Sequence, residues 1–441
     1  MGKIIHKNKL FVASCLALLV TSLSFGIRAG IMNNLMVEFH LDAKQMGLIA
    51  GTAFWGFPLA IIIGGMIVDI VGMKRLLLTA FLLHLIGIIF TIFSTGFISL
   101  YISTLFIGIA NGTVEAACNP LVTSIYPENK TTKLNHFHFW FPGGIVIGTL
   151  ISFGMAKINL DWHWQMATMI IPAIIYGYLF FRLDFPVTER VSSGTSTREM
   201  YKAVLAPLFI FMFVCMLGTA ITELFTNQWV GVLLQNVTKS AILVLALVAT
   251  VQALARSVAG PVVHRISPAG LLLVSAIIST VGIYLLGTLT GGAIFIGAII
   301  FGLGVAYFWP TMLGFVSENI PKSGALGINL LGGAGMFAVS IYMFFMGGYY
   351  DSLIAAALPV GANMDIYRSA ASGTSEASAY MHAQLVAGPK VIMATNIIPV
   401  ILVFAFLFLF IYMRSKKKKD AKVHLSETIA PVGRMDISAH H

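Results

Sequence analysis

Long apolar runs separated by short polar breaks recur from one end of this chain to the other. Twelve are long enough to cross the roughly 30 Å hydrocarbon core of a bilayer, at about 10–33, 45–68, 75–94, 98–125, 133–156, 162–182, 203–234, 240–264, 269–289, 292–317, 323–350 and 389–413. None shows the period-2 alternation in ten-residue blocks that marks an outer-membrane barrel. Only helices and closed barrels satisfy their backbone groups in lipid, so the pattern predicts an all-α membrane protein of twelve transmembrane helices.

The only long polar break before the C-terminal region is residues 184–202 (DFPVTERVSSGTSTREMYK). It divides the chain into a six-helix bundle at 1–183, a cytoplasmic linker at 184–202, a second six-helix bundle at 203–413 and a basic cytoplasmic tail at 414–441. An Ala-, Ser- and Gly-rich stretch at about 352–388 interrupts the second half on the outer side, as a flexible insertion or a small cap. Sliding the sequence against itself by 194 residues places Asn33 on Asn227, Pro127 on Pro321, Asn135 on Asn329 and Glu115 on Trp309; a shift of 195 places Gly65 on Gly260. Matches at nearly one offset, at the same helix number in each half, indicate an internal duplication. The expected fold is two pseudo-symmetric bundles with a site between them near the midplane, as in many secondary transporters.

Composition excludes a water-soluble globule: 58% of residues are hydrophobic and 10% charged, with mean hydropathy +0.90, against about a quarter charged in soluble domains. The net charge of +10 suggests nucleic acid until its distribution is read. With both termini inside, twenty of the 27 lysines and arginines fall on the cytoplasmic side, five outside and two, Arg28 and Arg256, within the membrane. That asymmetry follows the positive-inside rule and predicts a multi-pass plasma (inner) membrane protein with no nucleic-acid partner. The Arg414–Lys419 cluster then anchors the last helix beside anionic lipid. Cys15, Cys118 and Cys215 lie in separate helices and read as packing residues, and no metal set is expected.

Hydrocarbon strongly disfavours a carboxylate, so ionisable residues at membrane depth mark substrate or proton pathways. Four stand out: Glu115, Glu223, Arg28 and Arg256. Helical spacing turns scattered polar residues into faces. Thr219, Thr222, Glu223, Thr226 and Asn227 form a stripe on helix 7, and Asn111, Glu115 and Asn119 one on helix 4. Asn135 and His138 share a face of helix 5, Gln252 and Arg256 of helix 8, and Thr21, Ser24 and Arg28 of helix 1. His84, alone on helix 3, reads as a hydrogen-bonding packing residue. The faces imply a shared hydrated cavity. Arg28 and Glu223 both fall in the outer half and are expected to approach across the central axis, with Glu115, His138 and Arg256 forming a second cluster further in.

The loop after helix 2 reads Gly65-Met-Ile-Val-Asp69-Ile-Val-Gly72-Met-Lys74-Arg75. It resembles the loop signature of the major facilitator superfamily, in which pairing of the Asp helps hold one gate closed. Gly65 permits close helix approach, Gly72 a tight turn, and Asp69 lies among the bases Lys74 and Arg75. The arginine usual after the Asp is Ile70 here. A closer resemblance covers helices 1 to 5 and helix 7. Glu115-Ala-Ala-Cys-Asn119-Pro120, then Lys133-Leu134-Asn135, is similar to the fucose, glucose and galactose proton symporters; Asn33-Asn34 sits where that family has an Asn-Asp pair, and Glu223 with Trp229 matches a glucose-carrier spacing. The resemblance implies that Glu115 takes and releases the coupling proton; Glu223, the other intramembrane carboxylate, is a second candidate for coupling. It also implies that Asn119 and Asn135 bind sugar hydroxyls, amides being both donors and acceptors, and that Trp229 or Trp309 stacks on a pyranose. Asn33, Asn34, His138, Asn227, Gln252, Asn329, Arg28 and Arg256 complete the candidate substrate set.

The expectation is therefore a monomeric importer of a monosaccharide or sugar derivative, driven by protons and using no cofactor. Two readings stand beside it: an organic-anion or sugar-acid carrier with Arg28 and Arg256 as anion ligands, since Arg grips carboxylates bidentately, and a non-transporting sugar sensor. No His-Glu-x-x-His or Gly-x-Ser-x-Gly occurs to supply enzyme chemistry.

Overall fold

A computed structural model describes residues 4–41, 43–234, 241–371 and 373–429, without the side chains of 33, 43–44, 53–54, 231–232, 241–242 and 419–429. The side chain of Asn33 and the last part of the expected tail, 430–441, thus lie outside the described residues. The described chain is helical, with no strand among the described residues. Its spans are α1 (Lys7–Glu38), α2 (Ala43–Val71), α3 (Met73–Ile92), α4 (Phe97–Ile125), α5 (Pro127–Lys157), α6 (Trp162–Arg182), α7 (Pro207–Val230), α8 (Leu243–Ser257 and Ala259–Ile266), α9 (Pro268–Thr288), α10 (Gly291–Asn319), α11 (Pro321–Ala357) and α12 (Ser375–Lys418). Eleven are single helices apolar enough to span; α8 makes the twelfth only if its two pieces, bent by 67° at Val258, count as one.

Each bundle packs its own helices, α1 on α5 and α2 on α4 in the first, α9 on α10 and α7 on α11 in the second. The bundles meet along α2–α11 and α5–α8, two contacts that a six-helix shift interconverts. Lipid-facing positions stay apolar, as at Ile63, Phe345 and Phe404. The 352–388 stretch is folded: α11 continues to Ala357, Met364–Arg368 forms a short helix, and α12 starts at Ser375. Arg368 ties this cap down through Asp351 at 2.9 Å and Tyr380 Oη at 3.2 Å.

The ends of the bundles that carry the linker are in contact. The first turns of α5 pack on the last turns of α10, and Thr131 donates its N–H and hydroxyl to Glu318 Oε1 at 2.9 and 2.7 Å. The molecule is closed at the end that carries the linker between the bundles.

Candidate functional site

Glu115 projects from α4 toward the boundary between the bundles, and Asn119 follows one turn later. The Asn119 amide donates to Glu115 Oε2 at 2.8 Å, and its Oδ1 stands 3.1 Å from His138 Nε2 on α5. Because the amide nitrogen is committed to a carboxylate, its oxygen must accept, which assigns a proton to His138 Nε2. His138 Nδ1 lies 3.9 Å from Glu115 Oε1.

From the other bundle Arg256 reaches into the same space. Its NH2 donates to Glu223 Oε1 at 2.7 Å, its Nε to the Ala306 carbonyl at 2.6 Å and its NH1 to the His138 carbonyl at 3.0 Å. Those two carbonyls are available for a sequence reason. Each lies four residues before a proline, Pro310 and Pro142, which has no N–H to close the helical bond. In lipid a freed carbonyl needs another donor, and one guanidinium supplies both. A third carbonyl obeys the same rule: Pro120 frees Ala116, which accepts from Asn329 Nδ2 of α11 at 2.8 Å.

Glu223 itself sits in a π-helical turn, Ile221–Phe225, inserted in α7. Such wide turns are rare and recur at functional sites. The stripe expected on this helix is accordingly split: the Thr219 and Thr222 hydroxyls donate back to Met216 and Gly218 carbonyls. Glu223 Oε2, Thr226 Oγ1, Asn227 Oδ1 and Gln252 Nε2 are buried without a partner among the described residues.

Glu115, His138, Glu223, Arg256 and Trp309, with apolar Phe57, Phe141, Leu224 and Met336, enclose a cavity of about 30 Å³. That holds about two water molecules and no pyranose. None of the four ionisable groups is more than 4% exposed. The apolar lining escaped sequence reading because nothing distinguishes Phe57 or Met336 from any other membrane residue.

Two expectations need correction. Glu223 pairs with Arg256, not with Arg28, so the two expected clusters are one. Arg28 instead lines a separate pocket inside the first bundle with Leu35, Thr91, Thr104 and Met166, because α1 turns that face toward α3, α4 and α6. The other candidates are spread more widely than expected. Asn34 is exposed near the C-terminal end of α1. Trp229 stacks on Phe225 at 5.5 Å and meets Tyr350 edge-on at 6.3 Å, away from the cavity. Asn135 donates to the Thr131 carbonyl and to Thr311 Oγ1 across the bundle boundary, at 2.9 and 3.3 Å. Asn135 and Asn329, one repeat apart, therefore each bond to the opposite bundle, and neither lines the cavity. Asn111 is committed to His84 at 2.8 Å and Ser24 at 3.1 Å within the first bundle, and His84 in turn to Tyr176 at 2.8 Å.

The loop-signature residues lie at the linker end of the molecule. A Cβ on Gly65 would stand 2.5 Å from Asn329 Cβ, so this glycine is what lets α2 approach α11. Gly72 adopts φ +89° between α2 and α3. Lys74 donates to the Leu183 carbonyl at 2.9 Å, Arg75 is exposed, and Asp69 pairs with Arg190 of the linker rather than with either.

The fold resembles that of the E. coli fucose:proton symporter, with a TM-score of 0.65 at 13% identity over 89% of this chain and 98% of that one. In sequence the chain is 26% identical over 162 residues to the facilitated glucose transporter member 10 of solute carrier family 2 from Xenopus laevis, covering 36% of this chain and 29% of that protein. It is 24% identical over 158 residues to a D-xylose transporter of Levilactobacillus brevis, covering 35% of each. The match thus spans about a third of the length of these relatives. The model of the Major Facilitator Superfamily matches residues 14–341; with eleven spans, or twelve counting the bent α8, in two related bundles around a central charged cavity, the chain belongs to that superfamily of membrane transporters.

Proposed function

We propose that this protein imports a monosaccharide or a neutral sugar derivative together with a proton, by alternating access between its two bundles, in the cell membrane with both termini inside. The observation that carries this reading is Glu115, held by Asn119 and His138 at a cavity whose far wall is the Arg256–Glu223 pair. With both carboxylates ionised and His138 neutral, the four groups carry one net negative charge. One proton neutralises them. Moving a net charge through a sealed, low-dielectric chamber is costly, so the protonated, loaded carrier isomerises more readily than the unprotonated one. That difference between states is what couples the two fluxes.

The unpartnered Glu223 Oε2, Gln252 Nε2, Thr226 Oγ1 and Asn227 Oδ1 suit a ligand dense in hydroxyls, since a buried polar atom left unpaired costs about 1–3 kcal/mol. Trp309 at the cavity wall offers a face for the apolar side of a pyranose. The anion-carrier reading is the weaker one. Arg256 already serves Glu223 and two carbonyls, and Arg28 is outside the central cavity.

Counterflow in proteoliposomes with neutral and acidic sugars, with and without an inward proton gradient, tests the proposal. Exchange of a neutral sugar, and its accumulation only with acid outside, is the expected result. Preference for sugar acids, or accumulation that follows sodium and ignores pH, would replace it. Binding without exchange would make the protein a sensor.

A further inference from the structure

The interior of the first bundle carries polar groups that the central cavity does not use. Tyr176, His84, Asn111 and Ser24 form a column joined at 2.8, 2.8 and 3.1 Å, and the Ser24 hydroxyl donates to the Thr21 carbonyl at 2.6 Å. The Asn111 amide nitrogen is given to Ser24, so its oxygen accepts from His84 Nε2, and His84 Nδ1 accepts from the tyrosine hydroxyl. The column is thus satisfied as a set of neutral groups. One turn further along α1 comes Arg28. It enters a pocket between α1, α2, α3, α4 and α6 with Thr91, Thr104 and an apolar wall that includes Leu35, Met46 and Met166. Arg28 has no hydrogen bond or ion pair among the described residues. Thr91 donates to the Gly87 carbonyl at 2.8 Å. Thr104, only 4% exposed, has a hydroxyl with no hydrogen bond among the described residues.

The result is an imbalance of charge. Three acids of the first bundle are engaged elsewhere: Glu38 accepts from Trp162 Nε1 at 2.6 Å, Asp69 pairs with Arg190, and Glu115 faces the central cavity. Hydrocarbon does not solvate a cation at membrane depth, and a charge left unpaired inside a protein is strongly destabilising. The side chains lining the pocket with Arg28 include hydroxyls but no carboxylate. The cavity is about 10 Å³, room for one particle about the size of a water molecule and far too small for a sugar acid. Thr91 stands one residue before the end of α3, and Leu100, also in the lining, belongs to the first turn of α4. The pocket therefore lies near the end of the bundle opposite the linker, within reach of the aqueous phase. We propose that this pocket binds a halide ion such as chloride, held by the Arg28 guanidinium and the Thr104 hydroxyl. The anion cancels the fixed charge inside the first bundle and is a structural ligand rather than cargo. The site is separate from the central cavity, so its test is independent of what the protein transports.

The test uses the full-length protein purified in detergent, with chloride exchanged for methanesulfonate at constant ionic strength. A ligand that binds only the folded state raises the unfolding temperature as its concentration rises. Chloride is expected to raise it by about 2 °C or more over methanesulfonate, and Arg28→Gln to abolish that response. Thr104→Val keeps the shape and removes the donor. It is expected to raise the chloride concentration needed for a given shift by about tenfold, the worth of one hydrogen bond to a charged group. In crystals soaked in bromide, anomalous scattering is expected to place one ion beside the Arg28 guanidinium. Equal unfolding temperatures in chloride and methanesulfonate overturn the proposal. A chloride effect that persists in Arg28→Gln also overturns it, since that reports binding at surface lysines, as does bromide found only at the surface. If Arg28→Gln fails to fold, Thr104→Val decides in its place, and an unaltered chloride response there overturns the site.

Discussion

Arg256 organises the centre through two prolines far from it in sequence. Pro142 and Pro310 strip the carbonyls of His138 and Ala306 of their helical donors, and the guanidinium fills both vacancies while holding Glu223. Arg256→Gln leaves that carboxylate buried and unpaired, and should lower stability by about 3–5 kcal/mol. Thermal unfolding in detergent measures it. Glu223→Gln combined with Arg256→Gln should recover part of the loss, the excess being the coupling energy of the pair. Pro142→Ala gives His138 back an intrahelical donor and should weaken the arginine's hold without touching either charge. Ionisable residues at membrane depth were legible in the sequence, and Glu115, His138, Glu223 and Arg256 do meet. Their pairing was not, because helix number fixes depth but not direction. The π turn in α7 rotates Glu223 relative to an even helix, and α1 turns Arg28 away from the axis.

At the scale of helices, the interface depends on close approach. A methyl on Gly65 meets Asn329 at the crossing of α2 and α11, so Gly65→Ala should push the linker-side ends of these helices apart. Spin labels on those helix ends would report a longer mean distance, with folding of each bundle unchanged. The linker's second helix, Thr197–Val204, behaves differently with pH. The backbone N–H of Ser196 first, then Lys322 at 3.1 Å, holds the Glu199 carboxyl down to about 2. An acid depressed in the folded state contributes above its ordinary pKa, and the contribution is lost only as pH falls through the folded value. Between about pH 5 and 8 this contact is therefore constant. Glu199→Gln should leave the shape of the uptake–pH profile unaltered, measured as initial rates. The spans themselves were readable because lipid demands a fixed apolar length. Their interruptions were not, since the prolines at 142 and 310 act on carbonyls four residues away, in places where hydropathy shows nothing.

For the whole molecule, the duplication at an offset near 194 foretold two bundles, and it also accounts for the paired contacts α2–α11 and α5–α8. Asn135 and Asn329 show its limit. They are equivalent by repeat and both bond across the boundary, yet the sequence could not separate a residue that binds substrate from one that joins the bundles. Both tasks require a buried amide. The closed linker-side face and the small central cavity describe one state of a cycle in which those same bonds must break. In the proposed mechanism the charge balance around Glu115 drives the cycle. Sugar-induced proton movement, recorded with a pH electrode in proteoliposomes, tests this most directly, comparing the native protein with Glu115→Gln. Adding the sugar that supports counterflow should alkalinise the outside for the native protein, while the variant exchanges sugar and moves no protons. Proton movement of equal size in Glu115→Gln would contradict the account.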